Sequence, residues 1–388
     1  MIIAFLINFV KSSLQCELDN FFAALSDSCE LLRKVTKSAF SQARLKVNPS
    51  VFIDLNQQLV HFTQHHSDLC QWRGFRIIAG DSSGLRLPNH PSLAQHFGLN
   101  GADTERPYVI AKAFGLLDVA NKIMIHGQLA PHASCERTLL LNSLNQLTPQ
   151  DLLVLDRGFP AFWVFAALYQ RQQPFCVRLD NNGFAFVNKF LRSRKDDSLI
   201  TMPPSYEAKK RCKELGIPQT PITLRLIRIR LPKGKIQVLA TSLLDQHAFP
   251  AQEFADLYHQ RWGIEEWFKI LKCRLMVEQF SGLSPLAIEQ DFHAKILAAN
   301  LCACLAQEAH TLVPSAQQSH YRVNFSYALS ACKNVLPRLL LGISSLSYLQ
   351  SLIVLISKTL ERYRPMRSYP RRHSPVKPAY HRAYCSPR

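Results

Sequence analysis

Apolar residues recur at three- and four-residue spacings through residues 1 to about 70, with little β-branched alternation, and this period predicts helices. Within that region Thr36 to Arg44 reads as a short helix that Thr36 or Ser38 can cap, with Lys37, Gln42 and Arg44 on an exposed face suited to phosphates and base edges, or equally to a solvated basic helix. From Phe75 the pattern changes. Phe75 to Asp81 is an apolar run of strand length that ends on an acid, followed by Ser82, Ser83 and Gly84. Strand-like runs follow at Tyr108 to Leu117 and Lys122 to Gln128, then a helical period over Glu136 to Leu147. Asp151 to Asp156 is a second buried strand, Arg157 and Gly158 its turn, Ala161 to Gln170 a helix and Pro174 to Leu179 another strand. Strands alternating with helices predict an α/β layer.

Residues 181–245 differ: a basic, turn-rich stretch runs to Lys213, then Ile222 to Leu231 and Ile236 to Thr241 flank Pro232 to Lys235 as a hairpin. Arg228 and Arg230, two residues apart, share a face of its first strand, and Arg225 stands apart. Helical segments at Pro250 to Leu275 and Pro285 to Ala309 come next, then more helix to about Glu361. The stretch Leu336 to Ser357 approaches membrane length but carries Arg338, Gln350 and several serines, so a buried helix is expected there instead of a membrane span. Met1 to Val10 lacks a basic flank and is too short to cross a bilayer, which predicts a core helix.

A chain of 388 residues has room for two or three domains, and 47% hydrophobic with 19% charged residues excludes a disordered or collagen-like chain. Lysine plus arginine number 46 and aspartate plus glutamate 28, a net charge of +18 that points to a polyanionic partner, nucleic acid first. Residues 362–388 hold eight Arg or Lys, five Pro and no acid, the composition of an extended, phosphate-seeking tail. The eleven cysteines are odd in number and have no CxxC spacing, so neither a disulfide framework nor a zinc knuckle is supported and a reducing compartment fits. His61 and His65 have the spacing of a metal pair but no acid of an HExxH frame between them, and Ser82-Ser83-Gly84 lacks the frame of a nucleophile elbow.

The segment around Glu265 carries the sharpest pattern. At about 100° per residue, Arg261, Glu265 and Lys272 fall within roughly 60° of Tyr258, beside an apolar stripe of Leu257, Ile264, Phe268, Leu271 and Leu275. A polar face is thereby held at the edge of a core. The spacing of Tyr258, Arg261, Glu265 and Lys272 resembles the Y-R-E-K signature of IS4-family DDE transposases. Asp81 with Ser82-Ser83-Gly84 resembles the family's first acidic motif and Asp156-Arg157-Gly158-Phe159 its second, in the same order. The resemblance extends from about Thr36 to Ala309.

That resemblance implies a ribonuclease-H-like α/β fold, a mixed sheet flanked by helices, with a β-rich insertion and helical N- and C-terminal regions. The implied organisation is a helical DNA-binding region at 1–70, a catalytic core at 71–180 and 246–312, a β-rich insertion at 181–245, a helical region at 313–361 and the basic Pro/Arg-rich tail at 362–388. It implies transposon-end cleavage and strand transfer in the prokaryotic cytoplasm, on the nucleoid, with double-stranded inverted-repeat and target DNA as partners, a homodimer on paired ends and no membrane. Asp81, Asp156 and Glu265 are the implied catalytic acids and ligands of two Mg²⁺ or Mn²⁺ ions. Two such ions about 4 Å apart activate a water or 3′-hydroxyl and stabilise the leaving oxygen of an in-line displacement. Tyr258, Arg261, Lys272 and Arg157 are the implied DNA contacts. The best-understood relatives hold a flipped base on an insertion tryptophan, whereas Trp72, Trp163, Trp262 and Trp267 all lie outside 181–245 here, leaving Phe184, Phe186 or Tyr206 to stack. The alternatives are an inactive or repurposed DNA-binding protein that keeps the fold, and a nuclease without strand transfer.

Overall fold

The computed structural model describes residues 1–8, 13–26, 33–66, 69–101, 107–181 and 183–363. Nine strands form one sheet: β1 (Arg76–Leu87), β2 (Leu99–Asn100), β3 (Tyr108–Asp118), β4 (Ile123–Pro131), β5 (Asp151–Leu155), β6 (Phe175–Leu179), β7 (Asp197–Met202), β8 (Ile222–Arg230) and β9 (Ile236–Thr241). They run in the order β2-β3-β1-β5-β6-β9-β8-β7, with β4 on the outer side of β3. β1, β5 and β6 are parallel neighbours, and all other pairs are antiparallel. The Phe162–Gln170 helix makes the crossover between β5 and β6. β5 has every residue buried, because helices cover both faces of a central parallel strand, and its unbroken apolar run is the sequence mark of that position. This is the ribonuclease-H-like mixed sheet flanked by helices that the motifs imply.

Three departures from the sequence reading fall in the sheet and the helical segment after it. β1 does not stop at Asp81 but continues to Leu87, because β3 pairs with it from Ile78↔Asp118 to Leu87↔Val109 after β5 has ended. Residues 181–245 contain two helices, Ala185–Arg192 and Tyr206–Leu215, that the turn-rich composition hid. The second is capped by Ser205, whose side chain accepts from Ala208 N, and closes on Gly216 at φ 64°, where a left-handed residue is needed. The β8–β9 hairpin builds no separate sheet, since β9 pairs with β6 and extends the core. In the hairpin Arg225 is buried on Asp197, while Arg228 and Arg230 both reach Asp196 on their shared face. Third, Pro250 to Leu275 is no single helix: a 3-10 turn at Gln260–Trp262 separates Phe254–His259 from Gly263–Cys273.

The Pro285–Thr311 helix runs under the sheet and is buried on every side through its centre, so its sequence lacks an amphipathic stripe. Ile2–Ile7, Ser50–His66, Phe325–Cys332 and Leu346–Ser357 pack around it. The Lys37–Arg44 helix forms with Thr36 as its cap, and Lys37 and Gln42 are exposed as expected. Arg44, however, turns inward: Nε donates to Gln290 Oε1 at 2.7 Å, Nη1 to Ser281 Oγ at 2.7 Å and Nη2 to Asp291 at 3.0 Å and Ala287 O at 3.2 Å. It is a strut between the N-terminal helices and the core, not a DNA-facing residue.

The apolar stretch at 336–357 resolves into two helices, Val335–Leu340 and Leu346–Ser357. The second buries only Leu352 and Ile356 and exposes Leu346, Tyr348, Val354 and Leu355, so it is a surface helix and not the buried one expected. Among the described residues no helix is long and apolar enough to cross a membrane. The basic tail, from residue 364, lies outside the described residues.

Candidate active site

The register of the central strands brings the first two acids together. β1 and β5 run parallel, with Gly80 opposite Leu155 as the last pair, so the next residues, Asp81 and Asp156, leave the ladder side by side. Asp156 closes a tight turn by accepting from Gly158 N at 2.7 Å, and buried Phe159 seats the turn in the core. Asp81 accepts from Ser82 N at 2.8 Å and lies opposite Gly115 on β3. A Cβ at Gly115 would stand 2.9 Å from Met124 Sδ, so the position is fitted tightly against β4, and Phe268 of the Gly263–Cys273 helix would lie over it in ordinary contact at 3.5 Å.

That helix supplies the third acid. Ile264, Phe268 and Leu271 face the core, as the stripe predicts, and Glu265 in the first turn is directed to Asp81 through Arg261. Arg261 Nη2 donates to Glu265 Oε1 at 2.6 Å and its Nη1 lies 3.5 Å from Asp81 Oδ2. Lys272 at the far end donates from Nζ to Ser83 Oγ at 2.8 Å and Gly84 O at 2.7 Å, tying the helix to β1. Of these five residues Asp81 therefore sits on β1, Glu265 and Lys272 on the helix above it, Arg261 on the 3-10 turn that leads into that helix, and Asp156 just past the neighbouring strand end.

Two predicted contacts lie differently. Tyr258 is buried in the wall, its ring 5.9 Å from the Arg261 guanidinium carbon, and burial pushes its phenol well above the ordinary value. Arg157 points outward to Asp180 at 3.6 Å. In the insertion Phe184 and Phe186 stack on each other at 5.0 Å and pack against the core, while Tyr206 is exposed. The His61 and His65 rings lie 4.2 Å apart, tilted at 32°, on an exposed helix face, with His61 O hydrogen-bonded to the His65 ring, as a polar face would.

The electrostatics are unbalanced. Burial, with the charges of Asp156 and Glu265 adding to it, raises the Asp81 carboxyl to about 6, against the pull of Ser82 N and Arg261. Among the described residues no three acid, histidine or cysteine side chains are gathered closely enough to hold one ion, and the Arg261 guanidinium lies between Asp81 and Glu265. The donor set nevertheless fits a hard divalent cation: Asp81 and Asp156 leave neighbouring strand ends, Glu265 faces them from the helix, and all three offer oxygen alone.

Reading the motifs missed two residues that the fold brings to this site. Glu136 accepts from Ser82 Oγ, next to Asp81, and Arg137 Nε donates to Gly158 O at 3.0 Å, next to Asp156. They lie at the start of the Glu136–Ser143 helix, far in sequence from either motif, and only the sheet order could have pointed to them.

The family of the transposase DDE domain matches residues 72–301. The chain is 25% identical over 275 residues to the transposase InsG of insertion sequence element IS4 from Escherichia coli (strain K12), covering 69% of this chain and 60% of that protein. A piggyBac transposase, solved by cryo-EM as a synaptic complex with hairpin DNA, is similar over 72% of this chain and 57% of its own, with 12% identity and a TM-score of 0.38. The chain thus spans about 60% of the length of the curated relative it matches.

Proposed function

We propose that this chain, which belongs to the DDE transposase family, cleaves DNA at the ends of an insertion sequence and joins those ends to target DNA, with Asp81, Asp156 and Glu265 as its catalytic acids. The observation that carries the reading is the parallel register that sets Asp81 beside Asp156, with Glu265 bridged to Asp81 by Arg261. Proteins of this family depend on divalent metal ions in general. The finer assignment is two Mg²⁺ or Mn²⁺ ions held by these three carboxylates, which when bound would lower the pKa of the attacking water or 3′-hydroxyl and offset charge on the leaving oxygen.

The protein's own groups perform the rest. Arg261 holds Asp81 only at 3.5 Å, a weak contact that it can exchange for a DNA phosphate while keeping Glu265 oriented. Lys272 adds a second positive charge along β1, and Arg157 a third on the outer rim. Tyr258 shapes the wall beneath Arg261. A net charge of +18 supplies the long-range attraction for inverted-repeat and target duplexes. Two ends must be brought together for strand transfer, which makes a homodimer on DNA the expected assembly, and the nucleoid in the cytoplasm its place of action.

The test is nicking of labelled DNA carrying the inverted repeats that flank this gene, in Mg²⁺ or Mn²⁺, with wild type beside Glu265→Ala. Cleavage at the repeat boundary by wild type, reduced at least about 10³-fold in the variant, is expected. Specific binding by both proteins with nicking by neither would instead identify a repurposed DNA-binding protein.

A further inference from the structure

We propose that Glu136 and Arg137 are positioning residues: adjacent in sequence, they clamp the segments that carry Asp81 and Asp156 against each other. The need for a clamp follows from the sheet. Beyond Gly80↔Leu155 the two strands part, and β1 stays fixed because β3 continues to pair with it. The Asp156 turn has no strand partner from that point on. It hangs between β5 and buried Phe159.

The Glu136–Ser143 helix begins against both segments. The Ser82 hydroxyl donates to Glu136 Oε1, a bond strengthened by the carboxylate charge, and Arg137 Nε donates to Gly158 O at 3.0 Å. Lys112 on β3 lies 3.9 Å from Glu136 and itself donates to Ser134 O, so the carboxylate is held from a second side. Glu136 also stands in the first turn of its helix, where a negative charge is favoured. A Cβ built on Gly158 would meet Asp156 Oδ1 at 3.0 Å and Glu136 Oε2 at 3.7 Å, which shows how closely the clamp and the Asp156 turn are fitted.

Ser82 N and Gly158 N are the groups that orient the carboxylates of Asp81 and Asp156. Each clamp bond acts on the residue that carries one of those amides. Residues that orient ligands in this way matter at about the 10- to 100-fold level in metal affinity or activity. The consequence for cleavage rests on the proposed function, but the clamp itself does not.

The experiment is amide hydrogen exchange on the full chain without metal, comparing wild type with Glu136→Ala and Arg137→Ala, with free-Mn²⁺ electron paramagnetic resonance and nicking assays alongside. Exchange in peptides covering residues 79–84 and 155–160 should accelerate about tenfold while β6 and the Pro285–Thr311 helix stay as in wild type. Mn²⁺ affinity and nicking should fall about 10-fold or more, end-DNA binding should hold within about twofold, and Glu136→Gln, which keeps an acceptor for Ser82, should recover most of the loss. Unchanged exchange in both peptides overturns the clamp, as does a uniform rise across the whole chain, which would mark a general loss of stability. If Glu136→Ala does not fold, Glu136→Gln and Arg137→Ala decide the same question. A wild type that never nicks overturns the transposase reading alone, because the exchange data still decide the clamp.

Discussion

Arg44 and Arg261 are buried to the same degree, with 4% and 5% of their side chains exposed, yet their surroundings are opposite. Every nitrogen of Arg44 has a partner at 2.7 to 3.2 Å, and Asp291, which it faces, also accepts from Ser281 N and Oγ. Arg261 has one short bond to Glu265 and one long approach to Asp81, while its buried Nε finds no partner. The first network is complete and holds helices together. The second leaves the Arg261 guanidinium incompletely paired, in keeping with the proposed role of this site in holding metal and a DNA phosphate.

The largest effect that separates the two is on stability. Arg44→Ala would strand Asp291, a carboxylate only 2% exposed, and should cost about 3 to 5 kcal/mol. Urea unfolding measures this directly. Joint replacement by Arg44→Met and Asp291→Leu should cost less than either single change, because no unpaired charge is left. If Arg44→Ala instead kept wild-type stability and lost DNA binding, Arg44 would belong with Arg261 and the contrast would fail.

The opposite sign is expected at the candidate active site. The folded-state pKa of Asp81 is raised to about 6 from 3.8, so the folded protein binds its proton more tightly than the unfolded chain does. Its contribution is favourable at low pH and is lost as pH rises through about 6. In metal-free protein Asp81→Asn removes that penalty and should stabilise the fold by about 1 to 3 kcal/mol at pH 7.5, with little difference at pH 4. Thermal melts at both pH values check it. A variant that is less stable than wild type at pH 7.5 would make Asp81 a structural residue like Asp291.

What could be read from sequence divides along the same line. Asp81, Asp156 and Glu265, which the fold brings together and whose catalytic role is a proposal, stood out because each follows a pattern of local period: two apolar runs ending in an acid, and a helical face. Arg44 did not, because a helical wheel shows which residues share a face but not which face docks, and the docking partners lie some 240 residues further on. The 3-10 turn at Gln260–Trp262 leaves no trace in composition, and it changes where Tyr258 and Arg261 point relative to Glu265. Glu136 and Arg137 escaped for a third reason: their meaning comes only from the order β4-β3-β1-β5, which puts the helix after β4 over the ends of β1 and β5.

A third arginine sharpens the comparison with the smallest effect. Arg157 is 62% exposed and faces Asp180 at 3.6 Å, itself 46% exposed, a pair that water and salt screen. Arg157→Ala should therefore change stability by no more than about 0.5 kcal/mol. Its charge is nonetheless on the rim of the acids, where a DNA phosphate would pass, so end-DNA affinity should fall a few-fold and the salt slope of binding should shrink by about 1. Filter binding across a salt series separates the two readouts. An unchanged slope would leave phosphate contact near the acids to the two cations already bonded within the fold, Arg261 and Lys272, and binding would then have to break protein contacts that the exposed Arg157 would not have cost.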